Sequence, residues 1–186
     1  MRVIAGEARG RRLEALPGTD VTRPTLSQVK EAMFSIVQFD LPGARVLDLY
    51  AGSGALALEA LSRGAASAVL ADMSPKACRA IAQNIAALDY QDRARLLRCP
   101  DAAAMAQLQR EGAAFDLIFL DPPYRMDTSR VCDELAKSLL APDGVLIVEH
   151  ARETPPAPGD GLALLDRREY GVAGISFYRR AGEENA

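Results

Sequence analysis

Short apolar segments alternate with amphipathic segments over most of this chain. From residue 44 onward, five segments are apolar almost throughout, as is typical of parallel strands buried on both faces of a sheet. These predicted strands are 44–50, 66–72, 94–99, 115–121 and 144–150. Helical spacing of apolar residues predicts helices at 55–63, 75–88, 101–110 and 127–140. The alternation predicts an α/β fold, in which a mostly parallel sheet carries helices on both faces.

The N-terminal part of the chain departs from this alternation. Residues 2–16 have the pattern of a short β-hairpin. Pro24 precedes a segment whose apolar residues recur at helical spacing, and Thr25 is a suitable N-cap for that helix. An N-terminal extension made of a hairpin and a helix is therefore predicted ahead of the α/β core.

The C-terminal part also differs from the core. Residues 162–169 and 172–180 are predicted to form two closing strands around a Tyr-Gly turn, which brings the sheet to seven strands. With no internal repeat, the simplest interpretation is a single domain, 1–186. Its extension is predicted at 1–40 and its Rossmann-like core at 41–186.

Composition narrows the class of protein. The chain has 186 residues, of which 49% are hydrophobic and 25% charged, as in a globular domain. We expect no membrane span, because no uncharged apolar run reaches ~18 residues. The N-terminus lacks the apolar core of a secretory signal, and the three cysteines suit neither a disulfide framework nor a metal site. We therefore expect a cytoplasmic protein without a metal.

Charge is distributed unevenly along the chain. The whole chain has a net charge of −3, yet residues 1–30 contain six basic and three acidic residues. The basic residues are Arg2, Arg9, Arg11, Arg12, Arg23 and Lys30. A basic arm on an acidic body suits the binding of phosphates, as in a nucleic acid. Charge alone fits a merely solvated arm equally well.

A glycine turn follows the first predicted strand. Gly52 and Gly54 lie where this strand turns into a helix, and glycine allows a ligand to approach the backbone closely. The start of the helix offers free N–H groups. Gly52, Gly54 and Ala57 also match the G-x-G-x-x-G/A pattern of dinucleotide-binding proteins. This pattern by itself is only weakly specific.

Acidic residues lie at or near the ends of three successive strands. Asp48 belongs to the first strand, and a buried acid there requires either a ligand ammonium or backbone amides as its partner. Asp72 suits the binding of ribose hydroxyls or a cap ahead of Ser74. Asp101 suits an adenine amino group or a cap of its own helix. Three such acids favour a nucleoside with a positive group over a pyrophosphate.

A second turn, DPPY, ends the fourth predicted strand. Pro122 and Pro123 have restricted φ angles and no N–H, so they form a stiff loop. The loop presents the Asp121 carboxylate, acceptor carbonyls and the ring of Tyr124. Asp121 and the Pro122 carbonyl are suited to accept both protons of a planar amino group, while Tyr124 stacks on the attached ring. Open parallel sheets bind ligands at this edge.

These motifs together resemble the class I S-adenosylmethionine-dependent methyltransferases. More narrowly, the chain is similar to the RsmD family of bacterial 16S ribosomal RNA (guanine-N2)-methyltransferases. The similar stretches, in family order, are RVIAGEARGRRL, TRPT (22–25) with KEAMF, LDLYAGSGALALEALSRGA, FDLIFLDPPY and YGVAGISFYRR. The chain departs from the family where Leu26, Ser27 and Gln28 replace an acid and an arginine, and where Asp72 replaces glutamate.

The resemblance implies a substrate, a cofactor and a set of site residues. It implies that S-adenosylmethionine methylates the guanine numbered 966 in the usual rRNA scheme, on 16S rRNA or the assembling 30S particle, and that the protein is a monomer. The implied catalytic residues are Asp121, Pro122, Pro123 and Tyr124. The implied cofactor-binding residues are Asp48, Tyr50, Ala51, Gly52, Gly54, Asp72, Met73, Asp101, Ala102 and Asp121. The implied RNA-binding residues are Arg2, Arg9, Arg11, Arg12, Arg23 and Thr25.

Other functions remain open at this point. A DNA adenine-N6 methyltransferase also uses a DPPY turn, although such enzymes usually carry an added recognition region. A protein-glutamine methyltransferase more often has Asn in place of Asp121. An NAD(P)-dependent oxidoreductase would account for Gly52, Gly54 and Asp72 but leaves DPPY without a role. A non-catalytic RNA-binding module would leave both motifs unused.

Overall fold

Seven strands form one mixed sheet in the computed structural model, which describes residues 1–16, 24–123 and 126–182. The strands are β1 (Arg45–Leu49), β2 (Ser67–Ala71), β3 (Ala94–Leu97), β4 (Phe115–Leu120), β5 (Leu140–Ala151), β6 (Leu162–Tyr170) and β7 (Ala173–Arg180). Their order across the sheet is β3-β2-β1-β4-β5-β7-β6. The five strands from β3 to β5 are parallel, and β7 and β6 add antiparallel pairs at one edge. The predicted seven-stranded α/β sheet is confirmed.

Helices cover both faces of this sheet. Within the described residues they are α1 (Pro24–Ile36), α2 (Ala55–Ser62), α3 (Pro75–Ala87), α4 (Asp101–Arg110) and α5 (Ser129–Ser138). Alternate residues of β1 enter two separate cores. Val46 packs with α1, α2 and α3, whereas Leu47 packs with α4 and α5. This two-sided burial explains why the strand is apolar almost throughout.

Two predicted boundaries are wrong near β5. The predicted helix 127–140 ends at Ser138, and β5 begins at Leu140 rather than at 144. Leu140 already pairs with Phe115, and the ladder resumes only at Val145 and Leu117. The intervening Pro-Asp-Gly therefore forms a bulge within the strand, although its composition is typical of a turn between elements.

The N-terminal extension differs in detail from its prediction. Helix α1 begins at Pro24, so Thr25 lies in its first turn instead of capping it. Proline suits the first turn because its missing N–H has no helical partner there. The predicted hairpin contains a single antiparallel bridge, between Arg2 and Arg12. None of the described helices is long and apolar enough to cross a bilayer.

The strand order creates a switch point beside β1. The chain passes from β1 outward to β2 and β3, then returns to place β4 on the other side of β1. Leu49, at the end of β1, pairs with Leu120, at the end of β4. Crevices at such switch points bind ligands in open α/β sheets. The glycine turn and the DPPY turn therefore leave the sheet at neighbouring positions.

Candidate active site

The glycine turn connects β1 directly to α2. Tyr50 follows β1 with φ of 61°, and Gly54 has φ of 78° and precedes the first residue of α2. A Cβ at Gly54 would lie 2.8 Å from Cδ2 of Leu70, so both conformation and packing require glycine there. The turn thus brings the N-terminus of α2 to the edge of the sheet.

Asp48 lies beneath this turn with 1% of its surface exposed. Its Oδ2 accepts a 3.2 Å hydrogen bond from the N–H of Ala57, whereas Oδ1 has no partner among the described residues. Burial raises the pKa of Asp48 to about 7, the Ala57 N–H opposes this shift, and Asp72 adds to it. A buried carboxylate oxygen without a donor suits a cationic ligand group, such as an ammonium.

Asp72 is fixed at the end of β2 by two backbone amides. Its Oδ2 accepts from the N–H of Gly52 at 2.9 Å, and its Oδ1 accepts from the N–H of Ser74 at 2.8 Å. Ser74, not Asp72, caps α3 by accepting from Ala77. Asp72 thereby links the second strand to the glycine turn, and Met73 beside it is largely exposed.

Asp101 begins α4 and bonds to the tyrosine of the glycine turn. The hydroxyl of Tyr50 donates to Oδ2 of Asp101 at 2.6 Å and lies 3.4 Å from Sδ of Met126. Burial and the carboxylate of Asp101 raise the pKa of Tyr50. Ala102 follows Asp101 on the exposed side of the helix. Tyr50 thus connects the end of β1 to α4 and to the segment after the DPPY turn.

Asp121 is the first residue after β4, and Pro122 and Pro123 continue the turn. Pro122 is buried, Pro123 is exposed, and the carbonyl of Pro123 accepts from the N–H of Met126 at 2.9 Å. Tyr124 lies outside the described residues. Solvent reaches Asp121, but desolvation by the surrounding sheet edge, Glu149 and Asp48 raise the pKa of its carboxyl well above the usual value.

One pocket of about 250 Å³ joins these features. Its lining includes residues from β1, from both turns, from α1 and from β5, namely Lys30, Asp48, Tyr50, Gly52, Asp121 and Glu149. Ala51 of the glycine turn lines it as well. The predicted cofactor residues of β1 and the predicted catalytic acid of β4 therefore share a single cavity.

The sequence interpretation missed a buried acid that anchors the N-terminal arm, residues 1–16. Glu59 of α2 is fully buried, and its carboxylate accepts from the N–H groups of Ile4 and Ala5 at 2.9 Å each. Lys30 and Arg63 form 2.9 Å ion pairs with the same carboxylate. Burial opposes ionisation of Glu59, but Lys30 and the Ile4 N–H outweigh it, so its pKa is lowered. A lone acid within the apolar run ALALEAL was the available signal.

The arginines assigned to RNA occupy different environments. Arg2 donates to the carbonyl of Gly10 at 2.7 Å, and Arg11 donates to the carbonyl of Ala87. Arg9 and Arg12 are exposed. Arg23 lies outside the described residues, and Thr25 is described only as part of α1. Met1 and Leu16 of the arm also line the pocket, so the arm reaches the cavity that contains the predicted catalytic acid.

Comparison with known proteins relates this geometry to a family. The sequence model of the family described as "Conserved hypothetical protein 95" matches residues 1–179. Ribosomal RNA small subunit methyltransferase D of Escherichia coli is 38% identical over 100% of this chain and 94% of its own length. This chain belongs to the RsmD family. The resemblance noted from the motifs is confirmed.

Further members and solved structures agree with the RsmD assignment. YlbH of Bacillus subtilis, described as a candidate rRNA methyltransferase, is 37% identical over 98% of this chain and 100% of its own length. The structure of yhhF from Escherichia coli, a candidate methyltransferase, superposes with a TM-score of 0.82 at 32% identity, covering 97% of each chain. A SAM-dependent methyltransferase from Agrobacterium tumefaciens shares only the fold, at 15% identity and a TM-score of 0.65. The superposition covers 87% of this chain and 63% of that protein.

Proposed function

We propose that this protein transfers a methyl group from S-adenosylmethionine to the N2 amino group of a guanine in 16S ribosomal RNA, the guanine numbered 966 by resemblance to its family. One observation carries the proposal. Asp48 of β1 and Asp121, the first residue after the neighbouring strand β4, line the same pocket. Asp48 is suited to bind a cation, and Asp121 begins a stiff proline turn. The name of the Escherichia coli relative supports ribosomal RNA as the substrate.

The cofactor is held by residues of the glycine turn and of the strand ends. Oδ1 of Asp48, which has no partner among the described residues, would accept from the ammonium of the methionine part. Gly52 and Gly54 would let that part approach the backbone, and Asp72 would accept from the ribose hydroxyls. Asp101, already bonded to Tyr50, would use its remaining acceptor capacity for the adenine amino group. When bound, S-adenosylmethionine supplies a methyl group on a sulfonium.

The DPPY turn is suited to orient the target amino group. The Asp121 carboxylate and the Pro122 carbonyl would accept its two N–H protons and so fix the orientation of the nitrogen, which loses one of these protons to solvent once the methyl group is attached. The same acceptors offset the positive charge that develops on nitrogen, so positioning and electrostatics provide most of the acceleration. Donation from the amino group also favours the ionised carboxylate, which counters the raised pKa of Asp121. From its place in the sequence, Tyr124 is expected to stack on the base.

The N-terminal arm is proposed to contact the RNA backbone. Arg9 and Arg12 are exposed and free to approach phosphates. Arg2 and Arg11 retain further N–H donors beyond the single carbonyl that each contacts. A monomer that binds through this arm and the edge of the sheet would recognise a folded RNA, most favourably within an assembling 30S particle. Light scattering of the purified protein tests the monomer.

The central test is substitution of Asp121. Purified protein with labelled S-adenosylmethionine is expected to methylate small-subunit rRNA or its assembling particle. Asp121→Ala is expected to lower the turnover rate at least ~100-fold, the scale for losing one key electrostatic contact. Asp116→Asn is the matched control, because Asp116 lies at the other end of β4 and pairs with Arg45. Near-normal turnover by Asp121→Ala would contradict the mechanism.

Two further measurements separate this function from its rivals. Mass spectrometry of rRNA from cells with and without the protein is expected to show the loss of one N2-methylguanosine. Transfer of label to duplex DNA, with none to rRNA, would instead identify an adenine-N6 DNA methyltransferase.

A further inference from the structure

Glu149 of β5 stands beside the proposed catalytic acid. In the parallel pairing of β4 and β5, Leu120 lies opposite Val148, and the next residues along the two strands are Asp121 and Glu149. Neighbouring strands lie about 4.8 Å apart, and residues in register point to the same face. Glu149 is half-buried, and both carboxyls line the pocket of about 250 Å³. Two acids from adjacent strands therefore converge where the target base would enter.

The carboxyls that line this pocket repel one another. Burial raises the pKa of Asp121, and the nearby charges of Glu149 and Asp48 raise it further. A ligand edge rich in N–H donors relieves this repulsion, whereas an edge that adds an acceptor increases it.

Guanine and adenine differ in this respect. A turn that grips an exocyclic amino group can hold either base, since both carry one. The ring nitrogen beside that group is the difference: N1 of guanine carries a proton, and N1 of adenine offers a lone pair. A site built to accept a hydrogen from its ligand strongly rejects an analogue that lacks it, because the buried acceptor is left unpaired.

We propose that Glu149 is a specificity-determining residue that accepts a hydrogen bond from N1–H of the target guanine and thereby excludes adenine. This inference rests on the proposed function. Asp121 and Pro122 bind the amino group, and Glu149 binds the proton on the neighbouring ring nitrogen. In this proposal the DPPY turn orients the amino group for methyl transfer, and Glu149 of the adjacent strand β5 selects guanine over adenine.

The test uses a base that separates these two positions. 2-Aminopurine keeps the amino group at C2 but offers a lone pair at N1, and it is placed at the target position of a semisynthetic small-subunit rRNA. We expect wild-type kcat/KM to be at least about tenfold higher for guanine than for 2-aminopurine, the scale of one charge-assisted hydrogen bond. Glu149→Gln is expected to narrow this ratio at least about tenfold, because its amide can donate as well as accept.

The controls separate discrimination from folding. Loss of the guanine O6 in 2-aminopurine affects wild type and variant alike, so it cancels in the comparison of ratios. Asp143→Asn changes an exposed acid in the bulge of β5 and is expected to leave the ratio unchanged. Glu149→Asp keeps the carboxylate and is expected to retain the preference for guanine, and thermal unfolding with S-adenosylhomocysteine checks that each variant folds.

The outcomes are distinguishable. In the first outcome, the wild type methylates guanine, and Glu149→Gln leaves the ratio of kcat/KM for guanine to that for 2-aminopurine unchanged. This result would overturn the role of Glu149 and leave the proposed function intact. A wild type that methylates no guanine in rRNA would overturn both.

Discussion

At the scale of single residues, the site depends on carboxylates held in unusual surroundings. Asp48 is buried, and one of its oxygens has no partner in the part of the chain that the structure describes. Asp121 shares the pocket with it and with Glu149. Protein carboxyls are normally ionised near neutral pH, whereas burial raises the pKa of both Asp48 and Asp121. Asp72 adds to the shift of Asp48, and Glu149 and Asp48 add to that of Asp121. Ionisation of these carboxyls is therefore unfavourable without a ligand, and a cationic ligand would favour it.

Asp48→Asn is expected to change the pH dependence of stability. The pKa of Asp48 rises from 3.8 to about 7 on folding, so the folded state binds its proton more tightly and wild type loses stability as pH rises toward 7. The variant does not lose stability in this way, because asparagine does not ionise. The measurement is urea unfolding without ligand at several pH values. The difference in free energy of unfolding, variant minus wild type, should increase by about 2–3 kcal/mol between pH 5 and 8.

Asp116→Asn provides the control for this measurement. Hydrogen bonding to Arg45 holds the pKa of Asp116 below 3.8, so Asp116 stays ionised over the whole range from pH 5 to 8. Its substitution should shift stability by a constant amount. Parallel pH profiles for wild type and Asp48→Asn would show that Asp48 titrates at its ordinary pH.

At the scale of elements, the N-terminal arm is docked by backbone contacts with α2. The N–H of Glu7 donates to the carbonyl of Ser62 at 2.8 Å, and the hydroxyl of Ser62 donates to the carbonyl of Ala5 at 2.6 Å. Gly6 lies at the closest approach, since a Cβ there would be 1.7 Å from the carbonyl oxygen of Ser62. The arm is therefore fixed to the helix that begins at the glycine turn.

Gly6→Ala is expected to weaken this docking. Gly6 and Gly10 share a φ of 82°, but a Cβ at Gly10 would meet nothing within 4 Å. Gly10→Ala should therefore cost only the left-handed conformation, about 1–2 kcal/mol. Gly6→Ala should cost about 1–3 kcal/mol more, because the arm must move away from Ser62. Equal losses of unfolding free energy in urea denaturation would argue against tight docking.

At the scale of the whole molecule, strand order brings distant motifs to one pocket. Residues of α1, of β5 and of the two turns meet beside the switch point between β1 and β4. The same fold occurs in methyltransferases of low identity, so fold alone does not choose the substrate. The ligand-binding edge is common to the class, and the arm and the residues lining the pocket are the parts that can distinguish substrates.

Ligand-dependent stability distinguishes the two cofactor classes. S-adenosylhomocysteine at about 100 times its dissociation constant should raise the free energy of unfolding by about 2.7 kcal/mol, or Tm by about 5–10 °C. Asp48→Asn should reduce this shift, because it removes the charge facing the cofactor ammonium, and Asp116→Asn should retain it. A shift with NADH instead would favour an oxidoreductase.

Much of the fold was predictable because its signals are local. The apolar runs of β1 and β4 are buried on both faces, and the glycine turn must leave the strand where the backbone turns to positive φ. The predicted start of β5 was wrong because it depends on pairing between residues far apart in the chain. Leu140 belongs to β5 because it pairs with Phe115, although the following Pro-Asp-Gly has the composition of a turn. Thr25 failed as a cap because Pro24 can itself begin the helix.

The sequence by itself determined the parallel sheet, the edge that carries the candidate site, and the placement of Asp48, Asp72 and Asp101 near strand ends. These follow from periodicity and from the rule that parallel strands end at one edge. Only the tertiary structure decided that Glu149 stands beside Asp121 and that Glu59 anchors the arm. Those contacts depend on strand register and on helix packing between residues far apart in the chain, and no local pattern encodes them.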